Sequence, residues 1–182
     1  VSTLNISRLE SLRERIRALQ PTRPPEPWAL RASCAVGGLS SVGFERDSDL
    51  LLVVSSQGRG VFDCLSGERV ARDHGDYAED HLHLEAQGIG PLQGQTLRMA
   101  GAWGGGLALS TADRWSVHCV QVDWPGQDVV LTEPGSHLFG ELYDRPAAMH
   151  KIHADSPLRA CGFSATGRSL VIATHSELHL FS

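Results

Sequence analysis

Between residues 39 and 71 the apolar positions come in short runs broken by turn-forming residues, a pattern that predicts strands. Val42 and Phe44 alternate with polar neighbours, as a half-buried strand does. Asp47-Ser48-Asp49 is a turn cluster. Leu50-Leu51-Leu52-Val53-Val54 is a continuous apolar run, short for a helix, and reads as a strand buried on both faces. Gln57-Gly58-Arg59-Gly60 supplies the next turn, because glycine reaches positive φ at little cost. Val61-Phe62-Asp63-Cys64-Leu65 predicts a third strand, Ser66-Gly67-Glu68 a turn, and Arg69-Val70-Ala71 a fourth, edge-like strand.

The same pattern returns at the far end. Residues 158–182 lie on residues 39–63 without a gap, so that Leu39 meets Leu158, Gly43-Phe44 meets Gly162-Phe163, Leu51 meets Leu170 and Phe62 meets Phe181. A fainter third copy places Leu107-Ala108-Leu109 on Leu51-Leu52-Val53 and Val117 on Val61. Self-similarity at long spacing means a repeat architecture. The last copy holds only three strands. A strand near Trp28–Val36 is expected to supply the fourth by pairing the two ends of the chain, which hides an exposed edge.

Each copy resembles a blade of a WD-repeat β-propeller. The resemblance rests on Ser41 to Val70 and on Gly162-Phe163-Ser164-Ala165-Thr166-Gly167-Arg168. Phe62, His118 and Phe181 stand where that family usually has Trp. Asp113 is the only counterpart of its second-turn Asp, with Gln57 and Ser176 at the matching places elsewhere. Propellers close with roughly four to eight blades. The segments 73–95 and 133–157 are therefore expected to form degenerate blades or cover strands, unless two chains share a ring or the sheets stack openly. The expected fold is mainly β, with propeller-like or open stacked antiparallel sheets and one N-terminal amphipathic helix.

That helix is predicted over residues 7–19, where Leu9, Leu12, Ile16 and Leu19 form one apolar stripe. Ser7 and Glu10 read as a capping box. Pro21 ends the helix, and Pro24-Pro25-Glu26-Pro27 reads as a stiff linker. The expected organisation is a helix at 1–20, a linker at 21–27 and a single β-repeat domain at 28–182. The stripe is expected to pack on the β core; a docking helix for a second copy or a partner is the alternative.

The 182 residues carry a net charge of −5, which argues against a nucleic-acid partner. No apolar run approaches the ~20 residues of a membrane span, and the first residues lack the apolar core of a signal peptide. Cys34, Cys64, Cys119 and Cys161 are far apart and sit in or beside apolar strands. They read as small buried hydrophobes, in a reducing, cytoplasmic setting. Lys151 is the only lysine, an arginine bias that points to a GC-rich bacterial gene.

Candidate chemistry is sparse. His81 and His83, two apart on a strand, could share a face toward one metal, with Glu79, Asp80 and Glu85 nearby. Leu82-His83-Leu84 nevertheless matches Leu178-His179-Leu180, where leucine inward and histidine outward is the simpler reading. His150 and His153 flank Lys151 in a loop-like stretch. Trp103-Gly104-Gly105-Gly106 lacks the Gly-Lys-Ser/Thr of a phosphate loop and reads as a flexible turn. No Gly-x-Ser-x-Gly elbow occurs.

The segment 63–85 is acidic: Asp63, Glu68, Asp73, Asp76, Glu79, Asp80 and Glu85 face only Arg69 and Arg72. Such a patch steers a basic partner. Tyr77 lies within it, and Trp124 lies in a predicted turn at 123–126. Exposed aromatics near charge are interface anchors. The expected binding residues are thus Asp73, Asp76, Tyr77, Glu79, Asp80, Glu85 and Trp124. The expected function is a non-catalytic protein-binding module without a cofactor. Its most specific form is a bacterial immunity-type antidote that covers a toxin's basic active-site cleft. The alternatives are a metal-dependent enzyme using His81 and His83, and a scaffold that self-associates through the N-terminal helix.

Overall fold

From the N-terminal side the chain forms helix α1 (Thr3–Ala18), then strands β1 (Leu30–Ala35), β2 (Leu39–Phe44), β3 (Leu50–Ser55), β4 (Gly58–Asp63) and β5 (Glu68–Asp73). Next come β6 (Glu85–Gln87), a short 3-10 turn (Gly90–Leu92), β7 (Thr96–Arg98) and β8 (Ala100–Gly101). Strands β9 (Ser116–Val120) and β10 (Gln127–Thr132) precede a second 3-10 segment (Leu138–Tyr143), and β11 (Met149–Ser156), β12 (Leu158–Phe163), β13 (Leu170–Thr174) and β14 (Glu177–Phe181) complete the order. The structure, a computed structural model, describes residues 3–75, 77 and 79–182. The fold is mainly β, with one N-terminal helix and several antiparallel sheets, none of them closed into a barrel among the described residues.

The chain divides into two compact units: 26–111 with 158–182, and 1–25 with 112–157. The first unit holds both good copies of the repeat. The first copy is the sheet β5-β4-β3-β2, extended by β8 on the β2 edge. The second is the sheet β1-β14-β13-β12. Strand β1 pairs antiparallel with β14 from Leu30–Phe181 to Ala35–Glu177, so the expected fourth strand does come from the far end of the chain.

Strand β3 is buried on both faces because each face has its own cover. Leu51 and Val53 point into a core shared with Val171, Ala173, Leu178 and Leu180 of the second copy. Leu52 and Val54 point the other way, into a core with Ala86, Ile89, Leu92, Leu97 and Met99. The second group belongs to the β6–β7 hairpin and its flanks, so part of the 73–95 insert serves as cover strand.

One connection touches the inner edges of both copies. Val42 pairs with Ala100, and the Phe163 N–H donates to the Ala108 carbonyl at 2.7 Å. The matched glycines make room for it. A β-carbon on Gly43 would sit 2.4 Å from the Arg98 oxygen, and one on Gly162 would sit 2.5 Å from the Leu107 β-carbon. The third copy expected at 107–109 is therefore not a strand of its own. Ala108 makes only an isolated bridge, because that stretch is used as an edge staple.

A buried carboxylate joins the equivalent turns of the two copies. Asp49, between β2 and β3, accepts hydrogen bonds from the hydroxyls of Ser164, Thr166 and Ser169 and from the Arg168 guanidinium, all at 2.7–2.8 Å. Those partners lie in the turn between β12 and β13.

In the other unit, β11-β10-β9 form a three-stranded sheet on which α1 packs. Leu12 and Ile16 meet Val122, Val130, Leu138, Ala147 and Met149. Three arginines on the helix tie it down: Arg8 to Asp144, Arg15 to the Ala147 carbonyl and Arg17 to Asp123. Leu9, assigned to the apolar stripe, is 40% exposed. The helix runs back to Thr3, which places Ser7 in its interior and removes the expected capping box. Residues 149–156, read as loop around Lys151, are strand β11, since Met149 and Lys151 turn one face inward. Lys151 is buried against Asp128 at 2.8 Å. None of the four cysteines forms a disulfide; Cys64 and Cys161 are buried, Cys34 is half-buried, and Cys119 is exposed, contrary to the expectation of burial.

Candidate interaction site

Within the unit that holds both repeats, residues 79–85 and 101–104 converge beside β2. The Ser40 hydroxyl donates to Glu79 at 2.8 Å, and the Ser41 hydroxyl donates to its other oxygen. The Asp80 carboxylate then closes a tight turn by accepting the Leu82 and His83 N–H groups and contacting the His83 ring at 2.7 Å. That ring contact lifts the His83 pKa above the ordinary imidazole range, through the hydrogen bond first and the carboxylate charge second. The bonds from His83 in turn hold the Asp80 carboxyl below its usual range.

This turn overturns the strand reading of His81 and His83. Residues 81–84 do not form a strand, and Leu82 is 86% exposed rather than inward. In Leu178-His179-Leu180 both leucines are fully buried, so the likeness of the two tripeptides is one of letters only. His81 packs against Trp103 instead, with ring centroids 4.4 Å apart. Among the described residues no group of three or more His, Cys, Asp or Glu is arranged to hold a metal.

Trp103 stands at the tip of a short hairpin. Gly101 and Gly104 exchange backbone hydrogen bonds at 2.9 and 3.1 Å, and the Ala102 N–H donates to the Ser40 carbonyl at 2.8 Å. Gly104 and Gly105 have φ of 118° and 79°, which glycine adopts without strain. The stretch read as a flexible turn is therefore pinned to β2. It holds an indole that is 61% exposed. Beneath it a small pit is lined by Ser41, Glu79, Leu84, Glu85 and Met99 among others.

The remaining predicted residues lie elsewhere. Asp73 and Tyr77 border an open groove with Arg59, Arg72 and Gln87. Arg59 bonds Asp73 at 2.6 Å and the Gln87 carbonyl at 2.9 Å, and its guanidinium carbon lies 4.0 Å from the centre of the Tyr77 ring. The Tyr77 hydroxyl accepts the Gln87 N–H at 2.7 Å. These two side chains thus fasten the insert to the sheet. Asp76 lies outside the described residues. Trp124 belongs to the helix-bearing unit, in the turn between β9 and β10, and is 85% exposed. Sequence reasoning missed Trp103 and Leu82. Trp103 had a usable signal, a tryptophan enclosed by turn glycines. Leu82 had none, because its apparent repeat partner is buried.

No known protein family matches the chain, and no curated protein matches its sequence.

Proposed function

We propose that the chain is a non-catalytic protein-binding module whose contact face is built by Leu82 and Trp103 with Glu79, Asp80 and Glu85. The observation that carries this reading is a 61% exposed tryptophan and an 86% exposed leucine held on pinned turns beside carboxylates. Isolated exposed apolar residues are ordinary, but a rigid aromatic ringed by charge is the composition of a binding hot spot. Holding it still beforehand lowers the ordering cost of association. Trp124, equally bare at 85%, is a second contact point.

The most specific form of the proposal is an immunity-type antidote that covers the basic cleft of a partner toxin in the bacterial cytoplasm. The net charge of −5 supports that choice of partner. The test is co-expression with the product of the neighbouring gene, followed by co-purification and a growth assay. A complex that protects the cell, and that is lost with Leu82→Ser and Trp103→Ala, is the expected result. Absence of both complex and protection sinks the antidote reading.

A further inference from the structure

A cleft between the end of α1 and the β9–β10 turn encloses about 140 Å³ and is walled by Arg17, Val122, Asp123, Gly126, Asp128 and Lys151. All six belong to the helix-bearing unit. Lys151 and Asp128 are its buried pair, with side chains 7% and 10% exposed and 2.8 Å apart. An ammonium carries three N–H donors, and buried donors need acceptors. Asp128 is the one acceptor of this ammonium among the described residues, which leaves two N–H groups to be met from the cleft. Arg17 gives its Nε and Nη2 to the two oxygens of Asp123 at 2.8 and 2.7 Å, and its Nη1 is left over. Donors in the cleft therefore outnumber acceptors. The Arg17 hydrogen bond holds the Asp123 carboxyl below its usual range; burial opposes it, and the charges of Arg17, Arg13 and Lys151 add to the lowering. Glu14 also acts on Arg17, but from outside the wall.

We propose that this cleft binds the carboxylate of a small organic acid, its oxygens taking the spare N–H groups of Lys151 and Arg17. The volume suits the size: it equals the share of about five waters, enough for an acid of about three carbons. A carboxylate supplies two acceptors with one negative charge, and its hydrogen bonds to ammonium and guanidinium are charge-assisted. Chloride would leave most of the space to water. Phosphate would bring a second negative charge beside Asp123 and Asp128. The proposal is independent of the protein-binding reading, because Leu82 and Trp103 lie in the other unit.

The sequence supplies its own reporter. Lys151 is the only lysine, so isotope-labelled lysine gives one ε-methylene signal from the full chain. The probe is sodium propionate, titrated at constant ionic strength while that signal is followed by NMR. Propionamide, which keeps the shape and loses the charge, is one control, and sodium chloride is the other. Propionate is expected to move the signal saturably, with at least about tenfold higher apparent affinity than either control. Lys151→Met would erase the reporter and leave Asp128 buried without its cation, so the variant is Arg17→Gln, whose ion pair is exposed. It is expected to weaken propionate at least about threefold while the chain stays folded. A signal that propionate leaves unmoved means that the cleft holds water only, and the proposal falls. Equal responses to propionate and propionamide, or to propionate and chloride, also overturn it. So does an Arg17→Gln variant that binds propionate as well as the wild type.

Discussion

Asp49 and Arg168 occupy the same position in the two copies of the repeat, 119 residues apart, and meet in an ion pair 2.7 Å long. The duplicated turns thus carry opposite charges at the same repeat position. The pair is lopsided: the Asp49 side chain is 1% exposed and that of Arg168 is 61% exposed.

This asymmetry fixes what each substitution does. Asp49→Ala strips three hydroxyls of their acceptor in a buried place and is expected to cost about 3 kcal/mol. Arg168→Ala removes a partner that water replaces and is expected to cost about 0–1 kcal/mol. Urea unfolding of both variants decides, and equal costs would contradict the picture of a buried carboxylate held mainly by hydroxyls.

The same carboxylate has a pH signature. Burial alone pushes its pKa up, but the hydroxyls of Thr166, Ser169 and Ser164 and the Arg168 charge outweigh it, holding Asp49 below the usual carboxylate range. A group depressed by folding stabilises fully above its unfolded pKa and loses that contribution as pH falls through its folded pKa. The stability gap between wild type and Asp49→Asn is therefore expected to be widest near neutrality and to narrow on acidification. A gap that stays constant down to acid pH would show that Asp49 is held in some other way.

Gly43 and Gly162 are predicted to resist substitution for the same reason. Alanine at either place drives a methyl group into the connection that crosses the sheet edge, at an expected cost of about 1–3 kcal/mol. Gly106→Ala, with nothing within 4 Å of the added carbon, serves as the control. Thermal unfolding of the three variants gives the comparison.

The helix makes a separate prediction. Leu12 and Ile16 are 2% and 3% exposed, so Leu12→Ala or Ile16→Ala is expected to cost about 2–5 kcal/mol. Leu9→Ala, outside that contact, is expected to cost less than about 0.5 kcal/mol. If the stripe were instead the seam between two copies, these variants would lower the mass in solution before they lowered stability. Light scattering beside denaturant unfolding separates the two outcomes.

Two histidines are expected to titrate in opposite directions from the ordinary range. Burial, and then the charge of His137, pushes His118 down, whereas Asp80 lifts His83. NMR titration should show His83 taking up its proton at a higher pH than His118, and Asp80→Asn should lower the pKa of His83. Because folding disfavours the charged form of His118, acidification through the imidazole range removes part of the fold's stability there. An unshifted His83 would mean that the turn at 80–83 is open in solution.

Much of the β frame was legible because strands announce themselves locally. The run Leu50–Val54 required cover on both sides, and the matched Gly-Phe pairs marked the two inner strands. The pairing of the chain's ends followed from a copy one strand short. The contact face was harder to see, because it is made by turns rather than by a period. His81 and His83 looked like a strand pair on spacing alone, until the Asp80 carboxylate capped the backbone and turned Leu82 outward. The acidic residues read as a patch were partly consumed by internal bonds: Asp73 to Arg59, and Glu79 to two serines. Spacing cannot reveal such commitments, since the donors lie in distant strands.

The clasp between β1 and β14 has a consequence for how the protein is made. Its sheet draws one strand from residues 30–35 and the next from residues 177–181. During synthesis the early strand must wait, unpaired, until residues 177–181 have left the ribosome. Deleting those residues would strand it permanently, and a nascent chain stalled before them is the form most exposed to aggregation through that open edge.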